Sequence, residues 1–340
     1  MSVPRAISPG IFPIMSKIRN IFAVPAARNL LQKRVFSDIM TVYLMLPAFA
    51  KFHERGNQNM REYAIGLYEK AMPPTMSWRE KLAFAKEAGY DFVEISIDEK
   101  DEKLARLDWT REERLELVQT MSEVGLPIRS MCLSGHRKYP LGSADPAVRA
   151  RGMEIMEKAI QLADDLGIRI IQLAGYDVYY EESTEATKAL FLKNLKRATE
   201  LAAIRGILMG FETMETDFMN TVWKSMYYVD AVGSPYLGVY PDSGNLTNAA
   251  KSSGGNVLDD LYSGRGHIVA LHLKETVPGV FREVPFLTGH VDFNSVIETA
   301  WSLGIRRYVT EMWYVGNDDT WAEDIRFARK SMSEILDKQP

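Results

Sequence analysis

A glycine recurs where a helical pattern gives way to a short apolar run, and it does so seven times. The segments are AGYDFVEI, VGLPIRSM, LGIRIIQL, RGILMGFE, VGSPYLGVY, RGHIVALHL and LGIRRYVTEM. Their glycines are Gly89, Gly125, Gly167, Gly206, Gly233, Gly266 and Gly304, spaced by 36, 42, 39, 27, 33 and 38 residues. Glycine suits the left-handed position that ends a helix. Seven helix–Gly–strand units, with a first strand at YAIGLYE, make eight strands. Most are continuous apolar runs, as parallel strands covered on both faces should be. Between Val148 and Leu166 the apolar residues Ile155, Met156, Ala159, Ile160, Ala163 and Leu166 fall on one helical face. Eight β-then-α units predict a single α/β domain, a (β/α)8 TIM barrel, over residues 60–340. A doubly wound sheet usually carries a glycine-rich loop after its first strand. Here that strand runs into Glu69-Lys70-Ala71-Met72-Pro73-Pro74.

Charge separates the barrel from what precedes it. The chain of 340 residues has a formal net charge of −4. Residues 1–59 hold 8 Lys+Arg and 2 Asp+Glu; the remainder holds 33 and 43, a balance of −10. Such a body argues against nonspecific nucleic-acid binding and suits a protein that handles small molecules. Cys132 is the sole cysteine, so intrachain disulfides and cysteine-cluster metal sites are excluded and a reducing compartment is expected. In the amino-terminal extension the longest apolar run, Ile39 to Ala50, is too short to span a bilayer. We read residues 1–59 as a gene start assigned upstream of Met60, or else as a disordered appendage. The basic residues before that run and the Ala48-Phe49-Ala50 pattern make a signal peptide the alternative, and an organelle transit peptide another.

In a barrel, chemistry sits at the carboxyl ends of the strands. Those ends carry Glu212 in GFETM, Asp242 in YPDSGN, His272 in VALHLKE and Glu311 in YVTEMW. Separations of 30, 30 and 39 residues are about one β/α repeat each, so the four should converge at the barrel mouth. A buried carboxylate needs a partner for its charge, and one divalent cation would serve all three acids. Three carboxylates and an imidazole suit Mn²⁺, Zn²⁺, Co²⁺ or Mg²⁺, and the ligand set alone does not choose among them. The competing reading is a set of ordinary salt bridges and strand-end caps.

The body resembles the L-ribulose-5-phosphate 3-epimerases (L-xylulose-5-phosphate 3-epimerases), within the wider sugar-isomerase-like barrels. The similarity runs through YAIGLYEKAMPP, YDFVEISID, MCLSGHRKYPLGS, IQLAGYDVYY, YPDSGNLT, HLKETVPGVFREVPF and the EMW from Glu311. It implies that Glu212, Asp242, His272 and Glu311 bind the metal, and that Glu212 and Glu311 act as acid and base. It also implies a role in cytoplasmic carbohydrate metabolism, in catabolism of a pentose or of an L-ascorbate-like compound. The sequence departs from the family pattern at Thr213 and Glu215, where an aliphatic residue and Asp are expected. It departs again at Leu287-Thr288, where a glycine and an acid are expected, and in the extension.

The implied chemistry is self-consistent. Inverting C3 of a 2-ketose removes a proton α to the carbonyl and returns it to the other face through a cis-enediolate. Two carboxylates on opposite sides of C3 can exchange the roles of base and acid. One divalent metal ion suffices, with no nucleotide or redox cofactor. A phosphorylated substrate also needs cations. His136 and Lys274 are the first candidates to face it, followed by Arg137, Glu69 and Lys70, with Arg282 in the next loop. The expected partner is a small sugar phosphate, with neither nucleic acid nor membrane, and a homodimer is the oligomer considered. Cys132 reads as a core residue, His267 as structural, His290 as a solvated loop residue and Trp313 as a wall of the site. The alternatives are an epimerase or isomerase of a free ketose, an abasic-site endonuclease and a non-catalytic sugar-binding protein. Five histidines and the body's −10 weigh against the endonuclease.

Overall fold

All seven helix-ending glycines adopt positive φ, from 65° at Gly233 to 87° at Gly89, a conformation that strains any side chain with a Cβ. Each therefore stops its helix and turns the chain into the following strand. The computed structural model describes residues 61–316 and 318–340. Residues 1–59, and the readings made of them, lie outside the described residues. Glu62–Pro340 form one unit.

The strands are β1 (Ala64–Tyr68), β2 (Phe92–Ile97), β3 (Ile128–Leu133), β4 (Ile170–Ala174), β5 (Leu208–Glu212), β6 (Leu237–Val239), β7 (Leu271–Leu273) and β8 (Arg307–Thr310). All paired neighbours are parallel, in the order β6-β5-β4-β3-β2-β1-β8-β7. The two ends of this sheet meet through single bridges, Val239 with Ile268 and Asp242 with His272. Backbone hydrogen bonds from Val239 to His267 (2.8 Å) and from His272 to Pro241 (2.9 Å) complete the ring. The expected (β/α)8 TIM barrel is thus present.

Among the described residues ten α-helices surround it: α1 (Trp78–Glu87), α2 (Asp101–Leu104), α3 (Arg111–Val124), α4 (Pro146–Leu166), α5 (Glu185–Ile204), α6 (Val222–Val232), α7 (Ser243–Ser253), α8 (Val257–Ser263), α9 (Phe293–Ser302) and α10 (Trp321–Leu336). Their starts are encoded locally. Ser77 with Glu80 and Thr110 with Glu113 form reciprocal capping boxes on α1 and α3, each satisfying two otherwise orphaned backbone donors. On α4 the six apolar residues picked out by helical spacing are all buried. Burying each of the larger ones contributes roughly 1.5–3 kcal/mol. Among the described residues no helix is long and apolar enough to cross a membrane.

Inside the ring a small second cluster packs Tyr68, Phe92, Cys132, Ile170, Tyr240, Ala270 and Val309. The main core lies between strands and helices. The inner cluster separates the barrel's two ends and supports the side chains at its mouth.

Candidate active site

Four strands deliver four side chains to one point. Glu212 closes β5, His272 sits within β7, and Glu311 follows the last residue of β8. Asp242 lies three residues beyond β6, not in it. It caps α7, its Oδ1 accepting from the Asn245 amide (2.7 Å). Its own amide donates to Thr213 Oγ1 (3.0 Å), so one departure from the family pattern helps hold this acid. Each of the four offers one ligand atom, and these atoms lie within 4.8 Å of one another. All four side chains are buried. His272 Nδ1 stands 2.9 Å from Glu311 Oε2 and 3.9 Å from Glu212 Oε1. Lys274 Nζ reaches Asp242 Oδ1 at 3.1 Å and Glu311 Oε2 at 3.4 Å.

The electrostatics are uneven. Burial, then the nearby Glu311 charge, raises the Glu212 carboxyl to about 8. Burial raises Asp242 to about 7, against the pull of Lys274. Burial pushes Glu311 upward too, but Lys274 and His272 outweigh it and hold that carboxyl well below the usual range. Asp242 Oδ2 is buried without a hydrogen-bond partner. Three carboxylates share one lysine and one imidazole, which leaves unmet demand for positive charge. The donor set, its spacing and the orphaned Asp242 oxygen fit a divalent cation.

Sequence reasoning missed a second tier. Glu94 on β2 is fully buried; its Oε1 accepts from His272 Nε2 (2.7 Å) and its Oε2 from the Tyr240 hydroxyl (3.1 Å). The imidazole is thereby held with Nδ1 facing the carboxylates, the arrangement by which outer carboxylates orient metal-binding histidines. The register between β2 and β3 shifts at Val93/Glu94, an irregularity of the sort that re-aims a side chain. The signal was an acid inside the apolar run FVEISI. Gln172 places its amide nitrogen 3.0 Å from His272 Nδ1, leaving its oxygen buried and unpartnered.

The cavity above the cluster is lined by Lys70, Arg137, Glu212, Lys274, Glu311 and Trp313, among others. Lys70 also pairs with Asp98. Arg137 lies over the rings of Tyr179 (4.9 Å) and Tyr176 (5.7 Å), and its Nε is buried without a partner. Arg282 lines the same cavity 3.8 Å from Glu215, which accepts from the Tyr176 hydroxyl at 2.6 Å.

Two expected substrate-facing residues lie outside this lining. His136 turns into the protein, its Nε2 bonded to the Gly152 carbonyl (3.0 Å), and burial lowers it to about 4, keeping it neutral. Glu69 turns beneath the mouth, where Lys103, Arg106 (2.5 Å) and the Ser96 amide (2.9 Å) enclose it. Both Glu69 and Lys70 lie in the 3-10 turn Glu69–Ala71 that follows β1, where Glu69 is buried and Lys70 is half-buried. His290 is only partly solvated, its Nε2 meeting Thr276 Oγ1 at 3.0 Å. Cys132 touches the cavity, but burial and Glu212 push its thiol well above the ordinary range, so it is no nucleophile. Leu287 holds φ 64°, so the backbone keeps the turn that the expected glycine would make.

The model of the xylose isomerase-like TIM barrel family matches residues 82–331. An L-ribulose-5-phosphate 3-epimerase of Shigella sonnei (strain Ss046) is 47% identical over 267 residues, covering 78% of this chain and 93% of that protein. The chain belongs to the L-ribulose-5-phosphate 3-epimerase family. Another member, from Escherichia coli O139:H28 (strain E24377A / ETEC), is also 47% identical, over 264 residues, 77% of this chain and 92% of its own. Solved structures share the family's fold at low identity. An L-ribulose 3-epimerase has a TM-score of 0.66 at 20% identity, covering 81% of this chain and 95% of its own. A D-allulose 3-epimerase from Methylomonas sp., in complex with D-allulose, has a TM-score of 0.64 at 19% identity, covering 80% and 98%.

Proposed function

We propose that this protein is an epimerase that inverts C3 of a ketopentose phosphate, interconverting L-ribulose 5-phosphate and L-xylulose 5-phosphate. The observation that carries the reading is a pair of glutamates, one closing β5 and one just past β8, that line one cavity and belong to the same four-residue cluster. Glu212 is raised to about 8, whereas Glu311 is held ionised by Lys274 and His272. Two titratable groups separated in this way are suited to opposite roles in proton transfer.

Glu212, Asp242, His272 and Glu311 would hold a divalent ion, Zn²⁺ or Mn²⁺ being the first expectation. When bound, that ion supplies positive charge against the negative charge that develops on the substrate's oxygens. One of the two glutamates takes the proton from C3 on one face, and the other returns one on the opposite face. In the reverse direction the two exchange roles. Lys274 lies between Asp242 and Glu311 and tempers their mutual repulsion. Trp313, with Lys274 5.7 Å from its ring centre, walls the cavity and limits access of water to the carbanionic centre. The unpartnered Nε of Arg137, with Lys70 and Arg282 on the same lining, supports this side as the one that takes the substrate phosphate.

The test is incubation of metal-supplied protein with L-ribulose 5-phosphate in D₂O, with free L-ribulose in parallel. Deuterium at C3 together with L-xylulose 5-phosphate is the expected result. Turnover of the free ketose alone would replace this reading with that of a free-ketose epimerase. No exchange with either sugar would end it.

A further inference from the structure

The opposite end of the barrel carries a second concentration of charge that the epimerase reading does not use. Arg129, Arg169 and Arg307 stand at the starts of β3, β4 and β8. Arg129 and Arg169 are neighbours across the sheet, the Arg169 amide donating to the Arg129 carbonyl (3.3 Å). Arg307 shares a strand face with Val309 and Glu311, since side chains alternate along a strand. One face of β8 thus ends in a cation at the floor and a carboxylate at the mouth.

The three arginines line one cleft of about 400 Å³, together with Phe92, Ser130 and Tyr240. Among the described residues no Asp or Glu lines it, in a body where acids outnumber bases 43 to 33. Among the described residues none of the three guanidinium groups has an ion pair or side-chain hydrogen bond. Other arginines are engaged: Arg106 with Glu69, Arg114 with Asp165, Arg205 with Asp164 and Arg326 with Glu87. The Ser130 hydroxyl is buried and makes no hydrogen bond of ordinary length, while the Tyr240 phenol beside it is committed to Glu94. The cleft therefore offers permanent positive charge and spare donors, with no acidic residue to take them up.

We propose that the barrel floor is a second ligand site, and that it takes a small phosphorylated organic molecule. Several guanidinium forks match the many oxygens of a phosphate dianion better than a single carboxylate. The volume lies within the range of roughly 300–1,000 Å³ typical of small-molecule sites and exceeds what inorganic phosphate needs. Ala64 and Leu208, half-buried in the same lining, supply an apolar surface for the carbon body. The site is separate from the mouth, and it stands whether or not the epimerase reading does.

Calorimetric titration of the full-length chain tests it, with glycerol 3-phosphate and inorganic phosphate as separate probes. The proteins compared are the wild type, the triple variant Arg129→Gln/Arg169→Gln/Arg307→Gln, and the mouth variant Arg137→Gln. The ester should bind more tightly than inorganic phosphate. Its Kd should rise at least tenfold in the triple variant, which keeps basal turnover within twofold, and should be unchanged in Arg137→Gln. Wild-type binding by the triple variant, or loss of binding in Arg137→Gln alone, overturns the floor site. Equal affinity for both probes overturns its organic half. A readout without substitutions is protection from phenylglyoxal, followed by peptide mass. Glycerol 3-phosphate should shield Arg169 and Arg307, and equal modification with and without it refutes the proposal.

Discussion

Two buried clusters of charge lie at the carboxyl ends of the strands, and they are built on opposite terms. Around Glu69, one carboxylate meets Lys103, Arg106 and, at 3.8 Å, Lys81, with the Ser96 amide on a second oxygen. Around Glu212, three carboxylates share one lysine and one imidazole, and an Asp242 oxygen has no partner. Burial pushes Glu69 upward, but Arg106 and Lys103 win and hold it at about 2, whereas burial carries Glu212 to about 8. The first cluster is complete within the protein. The second leaves an Asp242 oxygen unpartnered and has a donor set that fits a divalent cation. Unmet demand, more than burial or charge, distinguishes a site that acts from a site that holds the fold.

The largest expected effects separate the two by substitution. Glu212→Gln and Glu311→Gln should each lower kcat by roughly 10²–10⁴-fold, the usual range for loss of a positioned acid or base, with the fold intact by circular dichroism. Glu69→Gln should do the reverse. Removing one partner of a buried ionic network costs about 3–5 kcal/mol, so its denaturation midpoint should fall while the folded fraction keeps its kcat. Wild-type turnover in either mouth variant would break the comparison at its functional end. An unchanged midpoint in Glu69→Gln would break it at the structural end.

A pH series on chelator-treated protein sharpens the contrast. The Glu212 and Asp242 carboxyls sit above their unfolded values, so their contribution is fully present below about pH 4 and is lost as pH rises through about 7 to 8. Glu69 sits below its unfolded value. Its contribution is present above about pH 4.5 and is lost as pH falls through about 2. The stripped protein should therefore show a thermal midpoint that falls from about pH 4 to about pH 8 and levels off above it, and adding Mn²⁺ or Zn²⁺ should restore it at the upper end of that window. The acid limb below pH 4 should not respond to metal. A midpoint indifferent to metal at pH 8 would remove the ground for calling the second cluster incomplete.

The architecture was legible because its signal is local and repeated. Each of the seven glycines marks a helix end whose backbone only glycine adopts without strain, and the apolar face of α4 follows from spacing alone. The four ligand candidates were legible because a barrel aligns its strand ends. Glu94 was not, because a one-residue register shift decides which way it points. The same limit explains Glu69 and His136. Sequence shows that an acid follows β1 and a histidine follows β3, but not that Lys103, Arg106 and the Gly152 carbonyl arrive from elsewhere to take them.

The smallest effects test the comparison on two adjacent residues. His136 is satisfied: neutral, buried and donating to Gly152. Arg137, next along the chain, lines the cavity with its Nε unpartnered. His136→Asn should cost on the order of 1 kcal/mol of stability, the usual value of one hydrogen bond, and leave KM unchanged. Arg137→Gln should leave stability nearly unchanged and raise KM for the sugar phosphate by roughly tenfold with kcat largely retained. That follows if its guanidinium contributes about 1.4 kcal/mol of binding equally in the ground and transition states. Arg137→Lys should recover only part of this, since an ammonium cannot reproduce the guanidinium fork. A rise in KM in the histidine variant, or a loss of stability without one in the arginine variant, would show that satisfaction within the fold does not separate the two roles.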